Sequence, residues 1–219
     1  MQARTHRMTT LAVFSAIAFL MTLISRNISF MPGYPFLTLD MKDVVIVIMG
    51  FIFGPMSSFL MVLVVSFIEM ITISSTGYIG MLMNVISSTA FACAAAYAYS
   101  RHQSMRGAVI GLVLGVLTVT VSMLLWNYIA TPIFQGVPRH VIAAALIPVF
   151  LPFNLIKYGV NAAVTILVYK PLVNTLRKAR LLPVKPAASG GRVNIGLMLT
   201  AALVLVTLTL VIVLLANRA

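Results

Sequence analysis

Lys157 lies in Pro152-Phe153-Asn154-Leu155-Ile156-Lys157-Tyr158, inside an otherwise uncharged apolar stretch from about Val141 to Tyr169. An ammonium at membrane depth costs roughly 2.5–3.5 kcal/mol at a helix centre even on translocon-based scales, so it persists where it faces a partner, a cavity or a substrate. Asn154, Lys157, Tyr158 and Asn161 recur at i, i+3, i+4 and i+7 and therefore share one face of a helix. Amides beside a cation and a phenol can both donate to and accept from a neutral, hydrogen-bond-rich molecule. The stripe predicts a ligand pocket between helices.

Other polar residues extend that expectation. Asn127 sits between Trp126 and Tyr128, and Asn84 follows Gly77-Tyr78-Ile79-Gly80. A Trp and a Tyr at the end of a span ordinarily mark the membrane interface, whereas an amide beside a cavity offers both donor and acceptor. Asn127, Asn154 and Lys157 thus form a convergent polar set at the outward half of the bundle. The chain has three acids, Asp40, Asp43 and Glu69. Asp40 and Asp43 flank Lys42 and suit the N-terminus of a helix, as a cap and as charges favourable to its dipole. Glu69 falls well inside an apolar run and is expected to line the pocket or to pair with Lys157.

Enzyme chemistry is not expected. His6, His102 and His140 belong to three separate loops or termini, without metal-ligand spacing to Cys, His or Asp. No Gly-x-Ser-x-Gly, His-Glu-x-x-His or phosphate-loop pattern occurs, and no Ser/Lys or paired-Asp constellation suits hydrolysis within a membrane. Cys93, the single cysteine, lies among alanines and suits packing.

The elements that must position these residues are membrane helices. Of 219 residues, 61% are hydrophobic and 8% charged, with a mean hydropathy of +1.09. No soluble domain of this size can hide so much apolar surface. The formal charge of +12 does not indicate nucleic acid, because the basic residues cap apolar runs instead of covering one soluble face. A bilayer needs about 20 apolar residues per helix. Spans are expected at about Met8 to Ser25, Met56 to Ile73, Tyr78 to Tyr99, Gly107 to Tyr128, Val141 to Tyr169 (interrupted by Pro148 and Pro152) and Ile195 to Ala216. A further helix, about Asp43 to Phe53, ends at Gly54-Pro55. It is too short to span alone and must be tilted, shielded by neighbours, or extended by Leu37-Thr38-Leu39-Asp40. The expected fold is all-α, a polytopic membrane helix bundle.

Orientation follows from charge. With a cytoplasmic N-terminus, Arg4, Arg7, Arg101, Arg106, Lys170, Arg177, Lys178, Arg180, Lys185 and Arg192 face inside, and Arg26, Lys42, Arg139 and Arg218 face outside. Ten against four favours this topology in a multi-pass protein of the cell membrane. Arg4 and Arg7 before an apolar run imitate a signal peptide, but Ser25-Arg26-Asn27 lacks a small-x-small cleavage site, which predicts an uncleaved first helix. The stretch Phe36 to Lys42 suits either an extended strap over the outer mouth or an ordinary surface loop. Ala12 and Ala16, four apart, permit close helix approach within the chain or to another subunit.

Taken together, these segments resemble the substrate-binding S components of energy-coupling-factor (ECF) vitamin transporters, most closely the riboflavin-specific branch. The resemblance rests on Leu39-Asp40-Met41-Lys42-Asp43 with Gly50-Phe51-Ile52-Phe53-Gly54-Pro55, on Thr76-Gly77-Tyr78-Ile79-Gly80 with Asn84, and on Asn127-Tyr128 with Pro132. Its most specific part is Pro152-Phe153-Asn154-Leu155-Ile156-Lys157, and it covers about Thr9 to Arg180. It implies a six-helix bundle that captures vitamin near the outer face. It also implies docking through Ala12 and Ala16 onto a transmembrane coupling subunit driven by two ATPases. Riboflavin is then the transported ligand and no cofactor is needed. The implied binding residues are Asn154, Lys157, Asn127, Asn84, Leu39, Asp40, Phe36 and Tyr158, with Tyr34, Phe36 and Leu37 available to cover the ring. The expected organisation is a binding domain over 1–181, a basic, Gly-rich linker over 182–192 and, beyond the family core, an additional C-terminal transmembrane helix over 193–219.

Overall fold

A computed structural model describes residues 2–28 and 37–178. The expected linker and additional C-terminal helix lie outside the described residues, as do Tyr34 and Phe36. Seven helical segments are seen: α1 (Gln2–Ser25), α2 (Lys42–Phe53), α3 (Pro55–Thr72), α4 (Gly77–Arg101), α5 (Met105–Gln135), α6 (Arg139–Ala145) and α7 (Leu151–Lys178). A π-helical turn, Leu146–Phe150, joins α6 to α7 without a loop. Five lengths are long and apolar enough to cross a membrane: Thr5–Ser25, Pro55–Thr72, Gly77–Arg101, Met105–Gln135 and the combined Arg139–Thr175. The architecture is a six-helix membrane bundle in which α6 and α7 act as one span.

The short helix α2 occupies the middle. Lys42 through Phe51 are all buried, against α1, α3, α4 and α7. Val44-Val45-Ile46-Val47-Ile48 is a β-branched run with modest helix propensity. A helix apolar on all sides is stable when enclosed by others, and tertiary packing supplies what propensity does not. Of the three expected remedies for its length, shielding is the one found. Residues 37–41 approach α2 as non-helical chain. At its other end Gly54 adopts φ +92° and its N–H donates to the Gly50 carbonyl. A side chain would strain that backbone. Pro55 then opens α3 at a position where its missing N–H costs nothing.

The other spans differ from expectation at their ends. Helix α5 runs beyond Tyr128, through Pro132, and stops at the left-handed Gly136. Pro148 and Pro152 do not divide the last span. They fall in and just after the π turn, a widened turn that accommodates backbone groups a proline leaves unpaired.

Glycines bring α4 and α5 together. A Cβ at Gly111 would stand 2.6 Å from the Ala95 carbonyl oxygen, and one at Gly115 2.7 Å from that of Phe91. Close backbone approach is how membrane helices gain contact where no hydrophobic drive exists between them. Gly111→Ala is expected to push the pair apart and cost about 1–3 kcal/mol, the usual penalty of overpacking. Thermal unfolding in detergent measures this, and an unchanged transition would contradict the close approach.

Candidate functional site: a cavity at one end of the bundle

The C-terminal ends of α1, α3 and α5 and the N-terminal ends of α2, α4 and α7 meet at one end of the bundle. There they enclose a cavity of about 300 Å³, at the small end of the range usual for small-molecule sites. Two arcs of helices supply its polar lining. From α5 and α7 come Trp126, Asn127, Asn154, Lys157 and Tyr158. From α1, the chain before α2, α3 and α4 come Thr22, Arg26, Asp40, Glu69 and Asn84.

In the first arc both amides are pinned by their own helices. Asn127 Nδ2 donates to the Met123 carbonyl at 2.7 Å, and Asn127 Oδ1 accepts from the Thr131 hydroxyl at 2.9 Å. Asn154 Nδ2 donates to the Phe150 carbonyl at 2.7 Å, the last residue of the π turn. These bonds fix the side chains and leave each amide with further donor and acceptor capacity. Lys157 is half-buried. Its Nζ lies 5.9 Å from the Phe153 ring centre and 5.5 Å from that of Tyr158. Ring faces attract a cation at this distance. Lys157 makes no ion pair among the described residues.

In the second arc the organising group is Lys42, 1% exposed. Its Nζ contacts Asp40 Oδ2 at 2.7 Å and the two oxygens of Glu69 at 2.9 and 2.7 Å. Glu69 also accepts from Thr22 Oγ1 and from Asn84 Nδ2, each at 2.8 Å. The Asp40 carbonyl accepts from Asn161 Nδ2 at 2.9 Å. One ammonium thereby joins α2 to α3 and to the preceding chain, and its carboxylates reach α1 and α4.

A family model described as the substrate-specific component of ECF transporters matches residues 6–169. The chain belongs to this family. Membership makes it a subunit of a transporter, not an enzyme. The riboflavin transporter RibU of Staphylococcus aureus (strain TCH60) is 29% identical over 78% of this chain and 93% of its own length. The riboflavin transporter FmnP of Bacillus subtilis (strain 168) is 27% identical over 81% of this chain and 99% of its own. A solved structure described as the S component of a bacterial ECF transporter superposes with a TM-score of 0.67. It is 29% identical and covers 81% of this chain and 99% of that one.

Within this S-component fold the structure brings Asn84, Asn127, Asn154, Lys157, Tyr158 and Asp40 together at the cavity. Leu39 is placed elsewhere: it is buried in an apolar cluster with Leu37, Ile142, Phe150, Phe153 and Ile156, while Thr38 and Asp40 on either side line the cavity. Asn161 does not line it, because its amide is turned to the start of α2. Glu69 pairs with Lys42 and not with Lys157, since Lys42 enters the bundle interior from the first turn of α2. For the same reason Lys42 is not an outer surface charge. Met41 is the N-cap of α2, without a side-chain cap. Asp40 Oδ1 accepts from the Lys42 N–H at 3.1 Å, and Asp43 is buried in the first turn.

Sequence reading alone missed Thr22 and assigned Trp126 to the membrane interface. Trp126 follows Met123 by three and precedes Asn127 and Ala130, a spacing that could have placed it on the cavity face. Glu69→Ala is expected to lower stability by about 3–5 kcal/mol, because it strands a buried ammonium with one carboxylate. Lys42→Met combined with Glu69→Ala should restore part of that loss, in a double-mutant cycle followed by thermal unfolding.

Proposed function

We propose that the chain is the riboflavin-binding S component of an ATP-driven ECF importer. The observation that carries this reading is the cavity itself. It holds an unpaired half-buried cation and two fixed amides on one arc, beside the apolar faces of Trp126, Phe153 and Met83. Riboflavin is uncharged, with a flat apolar ring, a pyrimidine edge that alternates acceptor and donor, and a polyhydroxylated arm. Amide oxygens suit its imide N–H, and Lys157 and amide N–H groups suit its carbonyls. The relatives named as riboflavin transporters, matched over most of their lengths, support the same substrate.

The cavity opens at the end of the bundle opposite the N-terminus. With the N-terminus in the cytoplasm, as the charge asymmetry favours, it faces outward for capture at the cell surface. Ala12 and Ala16 are exposed on α1 beside Val13, Ile17 and Leu20. Among the described residues they are not buried by packing, and we assign them to contact with a transmembrane coupling subunit attached to two ATPases.

Protein purified from riboflavin-supplemented cells should be yellow and release a flavin spectrum on denaturation. A colourless protein that takes up no added riboflavin would defeat the reading. Asn154→Ala and Lys157→Ala should each weaken binding about tenfold or more, because each removes a buried polar partner. The readout is quenching of Trp126, the single tryptophan, on titration with flavin. Ala12→Leu with Ala16→Leu should keep full binding but abolish uptake by cells that express the coupling subunit and ATPases. Undiminished uptake would remove the docking assignment.

A further inference from the structure

The two arcs of the cavity differ in kind. The α5 and α7 arc offers amides and an ammonium, whereas the other offers, beside Arg26 and Asn84, two carboxylates already engaged by Lys42. Counting lone pairs separates these carboxylates. Glu69 takes four short contacts, two from Lys42 and one each from Thr22 and Asn84, which fills a carboxylate's roughly four acceptor positions. Asp40 is less occupied. Its Oδ1 accepts from Lys42 N at 3.1 Å and Thr22 Oγ1 at 3.2 Å, and its Oδ2 accepts only from Lys42 Nζ at 2.7 Å. The single Thr22 proton has its shortest contact, 2.8 Å, with Glu69, so Asp40 retains acceptor capacity. Asp40 lines the cavity, Lys42 does not, and Lys42 has all three of its donors directed at the two acids.

We propose that Lys42 is a positioning residue of the ligand site: by fixing Asp40 and Glu69 it builds an acceptor wall, with Asp40 as its open member, that reads the hydroxylated arm of the ligand. This rests on the flavin reading above and adds an orientation to it. The pyrimidine edge faces the amides and ammonium of α5 and α7, and the polyol arm faces Asp40 and Thr22. A hydroxyl both donates and accepts, so it can give its proton to Asp40 and receive from a neighbouring donor. A ligand that carries hydroxyl donors gains from a charged acceptor that Lys42 has already oriented and neutralised. One that ends in a methyl group gains nothing there.

The test compares riboflavin with lumiflavin, the same ring bearing a methyl group in place of the polyol arm, on purified full-length protein. Wild type should bind riboflavin more tightly. Asp40→Asn keeps the side-chain shape and guards against misfolding of Lys42→Met. Asp40→Asn and any folded Lys42→Met should each lose roughly tenfold or more in riboflavin affinity, since a hydrogen bond to a charged acceptor is removed or misdirected. Lumiflavin affinity should change by less than about twofold in the same variants, because it makes no bond there to lose. Equal losses for both ligands mean a merely structural role, and no loss for riboflavin means no contact; either result overturns the proposal. A wild-type protein that binds neither flavin instead overturns the flavin reading, and the acceptor wall falls with it.

Discussion

The architecture depends on one buried ion cluster. Lys42 cannot stand alone in the interior, because the desolvation of an ammonium costs several kcal/mol unless fixed acceptors surround it. Two carboxylates meet it, from the chain before α2 and from α3, and Thr22 and Asn84 complete the shell from α1 and α4. Such a cluster adds little net stability over a well-packed apolar equivalent. What it adds is specificity, since this relative placement of the four helices directs all three Lys42 donors and fills the Glu69 acceptors. In an otherwise apolar bundle, where side-chain packing tolerates many arrangements, that constraint sets where α2 begins and how the cavity wall is shaped.

The rest of the bundle closes the space beneath. The apolar run of α2 fills the centre, and at the far end Phe51 stacks on Tyr99 with ring centres 4.4 Å apart while Tyr169 packs edge-on at 5.5 Å. The Tyr99 and Tyr169 hydroxyls bond to each other across α4 and α7. A site at one end, with packed apolar and aromatic layers below it, is suited to capture. The buried apolar run of α2 separates the cavity from the far end of the bundle.

Much of this was legible in the sequence, for identifiable reasons. Helix existence follows from long apolar runs, and the polar stripe of α7 follows from its i, i+3, i+4 spacing. The amides Asn84, Asn127 and Asn154 stood out because an uncharged span contains few groups able to make directed bonds. Helix ends were less legible: Pro132 falls within the last turn of α5, just before the left-handed Gly136 that ends it, and the prolines near Phe150 are absorbed by a π turn. Which residues of the chain before α2 face the cavity was not legible either. In non-helical chain the side of each residue is set by tertiary contacts, and it fell out as Leu37, Thr38 and Asp40 toward the cavity with Leu39 in the apolar cluster.

The two lysines show why charge alone misleads. Lys157 sits in a long apolar stretch and looks as though it needs a counter-ion, while Lys42 sits between two acids near a helix start and looks like a surface residue. The structure puts Lys157 at the cavity its polar stripe predicts, whereas Lys42 is buried and takes Glu69. A helix start need not be at the surface when the helix is short and enclosed, so Lys42 is carried inward and engages Asp40 and Glu69. Lys157, nearly two turns inside α7, reaches open space instead of hydrocarbon, and the cavity supplies the polar surroundings that a partner would otherwise provide. Glu69 is thus committed to Lys42, Thr22 and Asn84 before any ligand arrives. Lys157 is left uncommitted at the cavity surface, where an incoming neutral molecule with carbonyl oxygens meets a donor that has no ion pair to break among the described residues.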